Sequence, residues 1–459
     1  MIDETLLELP KVVIQPKLEK TSLISKPNIT TLTEEQASIF KEITEMPVNN
    51  FSQILLTGYA GSGKTFLVSK IIEQLLFKNK YLNIAITAPT HKAVRVLKDT
   101  SSISEDSNRV SFITLHSLLG LKRVITNEGK EVFKEVFGNS EINQYKVVLV
   151  DEVSMLDNEL YELLKFQADI NNIMLIFIGD RGQIPPVNGG ESNLFKSKLD
   201  KNYNLTKIIR QGKDNPIIKL AEKVRSNIKF EKKNIIDENK NGVIFLKLKT
   251  EEPLLNIYFN SLNFKKNPNF VKVLSHRNSA VKYYNDIIRT LIYGEGCGML
   301  CVGEKMVCNK PIVNIKNQVL LNNNDEFEVV SFVLKQEKRA YDFWYYSVDI
   351  INDGRKLTIN ILAEKSFDSF AKEVKRLKTI AEKAKVMTKR NAWSKYYKLL
   401  ERYADVNYNY ALTIHKSQGS TFDNVIVINC DVERVPNVIE RNKLLYTAMT
   451  RAKNKLFII

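Results

Sequence analysis

Residues Gly58 to Thr65, GYAGSGKT, have the spacing G-x-x-x-x-G-K-[ST] of a phosphate-binding loop. They lie between the apolar run Ile54-Leu55-Leu56 and the amphipathic stretch Phe66 to Phe77, which predicts a strand before the loop and a helix after it. In such a loop, backbone N–H groups surround phosphate oxygens, the lysine contacts the β and γ phosphates, and the hydroxyl binds Mg²⁺. An ordinary glycine-rich turn would not need this flanking pattern. The residues predicted to bind a nucleoside triphosphate are Gly58, Gly61, Ser62, Gly63, Lys64 and Thr65.

Two adjacent acids follow a second apolar run, Val147 to Val150. Asp151 is predicted to hold Mg²⁺ together with Thr65, and Glu152 is predicted to orient and deprotonate the attacking water. Because transfer of a phosphate to another substrate needs no activated water, this pair favours hydrolysis. An Asp-Glu pair at a strand end is also common as a helix cap, so the prediction depends on the phosphate loop.

A third apolar run, Met174 to Ile178, leads into Gly179 to Pro186, GDRGQIPP. A glutamine at the carboxyl end of a neighbouring parallel strand can hydrogen-bond the γ-phosphate or the attacking water. Gln183 is therefore predicted to sense whether the γ-phosphate is present.

The elements that must position these groups belong to a long and basic chain. Its 459 residues, at roughly 150 residues per domain, suggest about three domains and argue against a lone binding module. Lys and Arg number 68 and Asp and Glu 52, a net charge of +16. This excess fits a polyanionic partner, and it equally fits a solvated lysine-rich surface. Acidic first residues and the lack of an apolar run of about 18 residues predict no secretory signal, no membrane span and a cytoplasmic location.

The cysteines and histidines do not form a metal-binding pattern. Cys297, Cys301 and Cys308 cluster without a C-x-x-C spacing or an adjacent histidine, so reduced thiols are favoured over a metal site. The chain has four histidines in all, and none has the spacing of a zinc ligand.

The apolar runs of the first part of the chain predict an α/β unit. Residues 1–30 lack periodicity and are predicted to be a tail. Unbroken β-rich runs alternate with helical stretches over residues 31–205, which is typical of a parallel sheet buried on both faces. Within it, residues 121–137 are predicted to form an inserted hairpin around the turn at 127–129.

A second α/β unit is predicted from residues 206–295 and 404–459. The polar stretch 226–250 is predicted to loop out of it. Residues 296–403 are predicted to form an insertion: first a small β-barrel, then two projecting helices that break at Lys389-Arg390.

Eight segments from residue 33 to the C terminus resemble, in order and spacing, the motif series of the superfamily 1 helicases. They are TEEQ, GYAGSGKT, TAPTHKA, VDEVSMLD, GDRGQIPPV, IIRQ, LTIHKSQGSTFDNVIV and LLYTAMTRAK. The likeness is strongest to the RecD-like, 5′-to-3′ branch and, within it, to the Dda-type helicases of bacteriophages. The resemblance implies two RecA-like parallel-sheet motor domains, a β-hairpin inserted in the first, and an SH3-like β-barrel with helices inserted in the second. It also implies ATP and Mg²⁺ as cofactors.

For the nucleotide site, the resemblance implies that Gln36 contacts adenine and that Gly419 places a backbone N–H near the γ-phosphate. Arg210 and Arg451 are implied to be arginine fingers from the second domain, which neutralise phosphate charge when the domains close. A single arginine in so basic a chain is most often a surface residue, so the role of Arg451 depends on its position in YTAMTRAK.

For a nucleic-acid track, the resemblance implies backbone contacts from strand ends in both domains. Hydroxyls, imidazoles and amides suit phosphate contacts that hold a strand without reading its sequence. The implied contacts are Pro89, Thr90, His91, Lys92, Thr114, His116, Ser275, His276, Thr413, His415 and Lys416.

The hairpin is implied to separate strands, with the helical pair leaning against it. Its apolar candidates are Val124, Phe133 and Phe137. A surface decoration is the alternative, because the hairpin tip TNEGK has no aromatic residue to stack on a base pair.

The leading hypothesis is a monomeric ATP-dependent 5′-to-3′ DNA helicase that moves on single-stranded DNA, opens a duplex fork and displaces bound proteins during phage-type replication or recombination. Single-strand-binding and recombination proteins are the expected partners, and an infected bacterial cytoplasm is the expected location if the chain is phage-encoded. An RNA helicase, or an NTPase that remodels nucleoprotein without processive unwinding, shares every motif. A nonenzymatic scaffold predicts loss of Lys64 or Glu152, and both are present. Polarity follows only from the resemblance, since both directions use the same motor.

Overall fold

The computed structural model describes residues 31–100, 108–136, 138–186, 192–207, 215–228, 230–238, 241–247, 251–314, 319–337 and 341–459. The predicted tail at residues 1–30, the candidate pin residue Phe137 and the candidate arginine finger Arg210 lie outside these ranges.

The first part of the chain folds around one parallel sheet, and we call it the first sheet domain. The elements in chain order are α1 (Glu34–Glu45), β1 (Ser52–Gly58), α2 (Lys64–Lys78), β2 (Ile84–Ala88), α3 (His91–Thr100), β3 (Val110–Thr114), α4 (Leu115–Leu118), β4 (Leu121–Ile125), β5 (Glu131–Glu135), β6 (Val147–Val150), α5 (Asn158–Ile170), β7 (Met174–Gly179) and β8 (Lys201–Leu205). The strand order of the sheet is β3-β2-β6-β7-β1-β8, and every pairing in it is parallel. A separate antiparallel pair, β4 and β5, forms the hairpin.

The central strands are continuous runs of buried residues because helices cover both faces of this sheet. One apolar core joins α1, α2 and α3 to one face, and a second joins α4 and α5 to the other. All the predicted loops of the nucleotide site therefore leave the carboxyl ends of parallel strands at one edge of the sheet.

The rest of the chain forms a second sheet domain with an insertion. The elements in chain order are α6 (Pro216–Arg225), β9 (Ile235–Ile236), β10 (Gly242–Phe245), α7 (Glu252–Phe259), α8 (Leu262–Lys266), β11 (Val271–Ser275), α9 (Asn278–Tyr293), β12 (Lys305–Cys308), β13 (Ile312–Val313), β14 (Val319–Leu321), β15 (Glu326–Gln336), β16 (Trp344–Asn352), β17 (Arg355–Leu362), α10 (Phe367–Lys383), α11 (Val386–Leu400), β18 (Val406–Tyr408), β19 (Ala411–Thr413), β20 (Phe422–Val427), α12 (Asn429–Val432), α13 (Val438–Met449) and β21 (Ala452–Ile458).

The sheet of the second domain has the order β19-β11-β20-β21-β10-β9. All pairs are parallel except β10 with the edge strand β9. The predicted α/β class with two parallel sheets is confirmed. The prediction that residues 226–250 loop out is wrong, because β10 pairs with β21 at the far end of the chain. The apolar run of β10 is short, and it forms a strand because it pairs with β21, which is distant in sequence.

The insertion consists of an antiparallel sheet in the order β17-β16-β15-β12-β18, which we call the inserted barrel, and the helical pair α10 and α11. The N–H of Ala404 donates to the carbonyl of Asn360 (2.7 Å), which links the segment before β18 to β17 and curls the sheet towards closure. The helical pair breaks at Ala384 and Lys385 rather than at the predicted Lys389-Arg390. Lysine and arginine are good helix formers, so they continue α11.

Candidate nucleotide site and nucleic-acid track

The phosphate loop has the backbone that its glycines predict. Gly61 and Gly63 adopt φ values of 81° and 80°, which side-chain-bearing residues rarely adopt. Lys64 begins α2, and its ammonium group donates to the carbonyls of Gly58 (2.9 Å) and Tyr59 (2.8 Å). Burial lowers the pKa of Lys64, while the carboxylates around it oppose that shift. The loop thus holds a largely desolvated cation at the amino end of a helix.

The two acids stand at the end of β6, as predicted. Burial raises the pKa of Asp151 to about 7, and the charge of Glu152 adds to this. The N–H of Glu152 donates to Asp151 Oδ1 (2.8 Å), and Glu152 itself has a φ of 50°, a strained value for a residue with a side chain. A buried carboxylate of this kind fits a divalent cation, and Thr65 and Asp151 line one cavity as its donors.

Gln36 ties the first helix to the phosphate loop. Its Oε1 accepts from the N–H of Thr33 (3.2 Å) while Thr33 Oγ1 accepts from the N–H of Gln36 (3.3 Å), which is a capping box at the start of α1. Its Nε2 donates to the carbonyl of Ser62 (3.4 Å). Each polar atom of the amide keeps further hydrogen-bonding capacity, so adenine recognition by Gln36 is compatible with both contacts.

Gln183 lies after β7 with only 6% of its surface exposed. Its Oε1 is buried and has no hydrogen-bond partner within the described part of the chain. An unsatisfied buried amide oxygen costs free energy unless a ligand supplies a donor, and an attacking water is such a donor.

One cavity of about 620 Å³ collects the predicted residues from both sheet domains. The first domain contributes Gln36, Gly61, Gly63, Lys64, Thr65, Asp151, Glu152 and Gln183, and the second contributes Gly419 and Arg451. Gly58 and Ser62 do not line the cavity. Their carbonyl groups accept hydrogen bonds from Lys64 and Gln36, respectively, which do line it.

Arg451 is 4% exposed, and its guanidinium donates to the carbonyls of Thr447 (3.1 Å) and Ser420 (3.2 Å). A Cβ placed on Gly419 would lie 4.0 Å from Glu152 Oε1, so the second domain comes close to the acids of the first. The crevice is therefore shared between the two domains.

Three further residues at this crevice were not predicted from the sequence. Tyr446, Gln418 and Arg225 all belong to the second domain and contact the loop around Gln183. Tyr446 and Gln418 stood inside recognised motifs, whereas nothing in the sequence distinguishes Arg225 from other basic residues at helix ends.

Three threonines of the predicted track share one local structure. Thr90, Thr114 and Thr413 each follow or end a parallel strand, and each hydroxyl oxygen accepts from a backbone N–H three residues later (3.2, 3.3 and 3.3 Å). Such caps fix the start of the next turn. The Thr114 hydroxyl also shares a hydrogen bond with the Ser117 hydroxyl (2.9 Å).

The basic residues of the predicted track are covered by the inserted barrel. Lys92 Nζ lies 3.2 Å from Glu326 Oε1, and Lys416 Nζ donates to Asn309 Oδ1 (2.8 Å). Arg95 forms a further ion pair with Asp353. The barrel thus contacts basic track residues of both sheet domains.

Ser275 does not present its side chain to the track. It is fully buried, and its hydroxyl donates to Asp431 Oδ2 (2.7 Å). The same carboxylate oxygen accepts from the N–H groups of His276 (3.0 Å) and Arg277 (2.8 Å). Ser275 is better placed to position this loop than to touch nucleic acid, and Asp431 is a positioning residue that sequence analysis missed.

Burial favours the neutral form of three predicted histidines. Burial lowers the pKa of His91, His116 and His415, and in His415 the nearby His276 adds to the effect. The rings of His276 and His415 are 6.2 Å apart, which brings two predicted track loops of the second domain together. Neutral imidazoles act as hydrogen-bond donors rather than as fixed charges.

The hairpin is anchored to the helical pair through its turn. Trp393 Nε1 donates to the carbonyl of Asn127 (3.2 Å), and the Tyr397 hydroxyl donates to the carbonyl of Gly129 (2.6 Å). A Cβ on Gly129 would lie 2.3 Å from the Trp393 ring, and its φ is 75°, so this position requires glycine. Arg123 pairs with Glu401, the residue directly after α11, at 2.5 Å.

The apolar candidates of the hairpin face different surroundings. Phe133 is 53% exposed, and its ring lies 4.6 Å from that of His116, a predicted track residue. Val124 pairs with Val132 across the hairpin and is half-buried. The hairpin therefore connects the track to the helical pair.

Two negative findings apply to the residues described. They contain no group of three or more His, Cys, Asp or Glu side chains that could hold a metal ion, and the four cysteines are free thiols. In the same residues, no helix is long and apolar enough to cross a bilayer.

Two family models match the chain. One, described as an AAA domain, matches residues 31–243, and one described as a UvrD-like helicase C-terminal domain matches residues 408–459. The ATP-dependent DNA helicase Dda of Enterobacteria phage T4 is 26% identical over 455 residues, which cover 93% of this chain and 99% of that protein. The ATP-dependent RecD2 DNA helicase of Deinococcus radiodurans is 26% identical over 434 residues, or 93% of this chain and 48% of that protein.

A solved structure of Pif1 helicases at forked double-stranded DNA has a TM-score of 0.52 with this chain at 18% identity, covering 93% of this chain and 92% of that one. This likeness shows a shared fold. The two family models, their order along the chain and the sequence relatives identify this protein as a superfamily 1 helicase of the RecD/Pif1 type.

Proposed function

We propose that this chain is an ATP-dependent helicase that moves 5′-to-3′ on single-stranded DNA and separates duplex ahead of it. The observation that carries the proposal is the shared crevice: Lys64, Asp151, Glu152 and Gln183 from one sheet domain line the same cavity as Arg451 and Gly419 from the other. Hydrolysis at such a boundary changes how the two domains attract each other, which is the requirement for a motor.

Each residue of the crevice has a distinct role in hydrolysis. Lys64 binds the phosphates of ATP, and Thr65 and Asp151 hold Mg²⁺, which neutralises phosphate charge when bound. Glu152 accepts the proton of the attacking water, and Gln183 orients that water through its unpartnered Oε1. Arg451 stabilises the charge on the transferring phosphate when the domains close, and Arg210 does the same by family resemblance.

The track residues convert closure into movement. Thr90, Thr114 and Lys92 hold the strand on the first sheet domain, whereas Thr413, His415 and Lys416 hold it on the second. If one domain releases the backbone while the other keeps hold of it, each cycle of closure advances the strand. Contacts of this kind involve phosphates and backbone, so movement does not depend on base sequence.

Strand separation is the proposed role of the hairpin. A pin must resist force from the duplex, and this hairpin is fixed through its turn to Trp393 and Tyr397 of α11. The helical pair joins the inserted barrel through the apolar cluster around Phe343 and Tyr403. Force on the hairpin is thereby transmitted to the second sheet domain.

The choice of DNA over RNA, action as a monomer, and work with single-strand-binding or recombination proteins are further parts of this proposal. The named activity of the relatives favours DNA, since Dda and RecD2 are both described as DNA helicases. An RNA helicase, or a remodelling NTPase without processive unwinding, remains the competing function because it would use the same crevice.

Strand displacement on tailed duplexes tests the proposal. Four substrates of one sequence, DNA or RNA with a 5′ or a 3′ overhang, are incubated with enzyme, ATP and Mg²⁺, and Glu152→Gln serves as the inactive control. We expect displacement only from the DNA duplex with the 5′ overhang. Displacement only from the 3′ overhang would refute the polarity, and displacement only of RNA would refute the substrate.

A further inference from the structure

The loop that carries Gln183 is held from the opposite domain, and we call residues 180–184 the sensor loop. The Tyr446 hydroxyl, on α13, donates to Asp180 Oδ2 (2.5 Å) and accepts from the N–H of Ala60 in the phosphate loop (3.2 Å). At the other end of the loop, Gln418 Nε2 donates to the carbonyl of Ile184 (3.0 Å). Gln183 therefore lies between two contacts made by the second sheet domain.

Arg225, the last residue of α6, completes the hold on the Asp180 end. Its guanidinium lies over the Tyr59 ring with 4.2 Å from Cζ to the ring centroid, and over the Tyr446 ring at 5.6 Å. Arg225 Nη1 lies 3.3 Å from Asp180 Oδ1. A Cβ placed on Gly182 would lie 2.9 Å from Arg225 Nε. The arginine is thus packed against the backbone that immediately precedes Gln183.

The charge balance around Asp180 involves two cations. The Asp180 side chain is completely buried, and Arg225 is 23% exposed. Arg225 and Lys64 of the phosphate loop both supply positive charge near this carboxylate, and a buried carboxylate that loses one of its cations is destabilised. Asp180 Oδ1 also accepts from the N–H of Gly182 (2.9 Å), which fixes the turn of the sensor loop around the carboxylate.

We propose that Arg225 is a positioning residue for ATP hydrolysis, which holds the sensor loop on the second sheet domain so that Gln183 aligns with the γ-phosphate only when the two domains are closed. The inference rests on the proposed ATPase function. Arg225 acts through Asp180 and Gly182 and does not line the nucleotide cavity, which distinguishes it from Arg451. Loss of the γ-phosphate at Gln183 would then change the contacts that Arg225 of α6 and Tyr446 of α13 make with the sensor loop.

Steady-state ATP hydrolysis with saturating single-stranded DNA provides the first test. Arg225→Met keeps an unbranched stem and removes the guanidinium. We expect kcat to fall about 10- to 100-fold while KM for ATP changes less than about 3-fold, because alignment for the reaction is lost and ground-state binding is retained. Arg225→Lys should recover part of the loss, and Tyr446→Phe should show a smaller fall. Lys223→Met, an exposed position on the same helix, is the matched control and should match wild type.

The second readout is the link between nucleotide and DNA. The affinity for single-stranded DNA is measured with a non-hydrolysable ATP analogue and with ADP, and the ratio of the two reports coupling between the sites. We expect this ratio of DNA affinities to differ from one in the wild type and to approach one in Arg225→Met. A purely local defect in the nucleotide site would leave this ratio unchanged.

The outcomes separate the inference from the proposed function. If wild type shows no DNA-stimulated hydrolysis, the proposed function fails. If wild type is active and folded Arg225→Met keeps its kcat, or loses only ATP affinity, the positioning role is overturned. Thermal unfolding of each variant identifies a folding defect, and if Arg225→Met does not fold, Arg225→Lys and Tyr446→Phe decide the result: wild-type kcat in both would overturn it.

Discussion

The nucleotide crevice and the nucleic-acid track hold their cations in different ways. In the crevice, Lys64 is held by carbonyls of its own loop and Arg451 by carbonyls of its own domain. In the track, Lys92 and Lys416 are held by Glu326 and Asn309 of the insertion. The crevice is therefore prepared before its ligand arrives, whereas the track is covered by another part of the same chain.

The difference matches the two tasks. Catalysis gains most from charges that need no rearrangement at the moment of reaction, and backbone carbonyls of the same element provide that rigidity. A motor must instead release and regain its track in every cycle. The carboxylates of Glu326 and Asp353 form ion pairs with Lys92 and Arg95, as phosphate groups would. Nucleic acid must therefore displace these carboxylates to bind the two basic residues.

The largest effect is expected from removing the chemistry of the crevice. Glu152→Gln should bind ATP and hydrolyse it about 10³-fold more slowly, because the attacking water loses its base. Rapid-quench measurement of a single turnover reports the chemical step, and fluorescent-nucleotide binding reports the affinity. Single-turnover hydrolysis within a few-fold of wild type would remove Glu152 from the mechanism.

The hairpin anchor should show a smaller effect confined to unwinding. Trp393→Ala removes the ring that packs on Gly129, so we expect unwinding to fall about 10-fold while DNA-stimulated ATP hydrolysis stays within about 2-fold. Tyr397→Phe, which removes one hydrogen bond, should lower unwinding less. The exposed Ile380 on α10, replaced by Ala, is the control. Equal unwinding by Trp393→Ala and wild type would favour a decorative hairpin.

The covered track predicts a gain of affinity. Asp353→Asn and Glu326→Gln each remove a carboxylate that competes with DNA, so single-strand affinity should rise about 3- to 10-fold at low salt. Glu328→Gln is the control, because its carboxylate pairs with Lys305 inside the inserted barrel. Fluorescence anisotropy over a salt series measures the affinity, and unchanged binding by both variants would show that the barrel contacts do not oppose loading.

The smallest effect concerns pH at the junction beneath the track. Burial lowers the pKa of Lys272 to about 8, while Glu326 opposes and Lys92 assists that shift. Between about pH 8 and 10.5 the unfolded chain binds more protons at this site than the folded chain, so stability from Lys272 rises with pH. From pH 7.5 to 9.5, wild type should gain roughly 2 kcal/mol relative to Lys272→Met. Urea unfolding measures the free energy of unfolding at each pH, with Lys305→Met as the control variant. The same pH dependence in wild type and in Lys272→Met would contradict the prediction.

The crevice was largely predictable from sequence because its residues act within short segments. Gly58 to Thr65 specify their own backbone, and Asp151 and Gln183 follow apolar strands whose carboxyl ends must share an edge of the sheet. Arg225 was not predictable, since its partners Tyr59 and Asp180 are distant in sequence and belong to the other domain.

The track illustrates a different limit. A hydroxyl at a strand end predicts a nucleic-acid contact equally at Thr413 and at Ser275. Only the folded chain shows that the Ser275 hydroxyl already donates a hydrogen bond to Asp431. The strand β10 was missed for a similar reason, because its three apolar residues form a strand only against β21. Local patterns predict which groups are available, whereas long-range packing decides which of them remain free for a ligand.

The central claim is that ATP is hydrolysed between two domains, with the second supplying the completing positive charge. DNA-stimulated ATP hydrolysis by Arg451→Lys and Arg451→Gln, compared with ATP affinity and thermal unfolding of the same proteins, tests it most directly. We predict that both folded variants bind ATP within a few-fold of wild type and that Arg451→Gln turns over about 10³-fold more slowly. Wild-type turnover by folded Arg451→Gln would contradict the shared crevice.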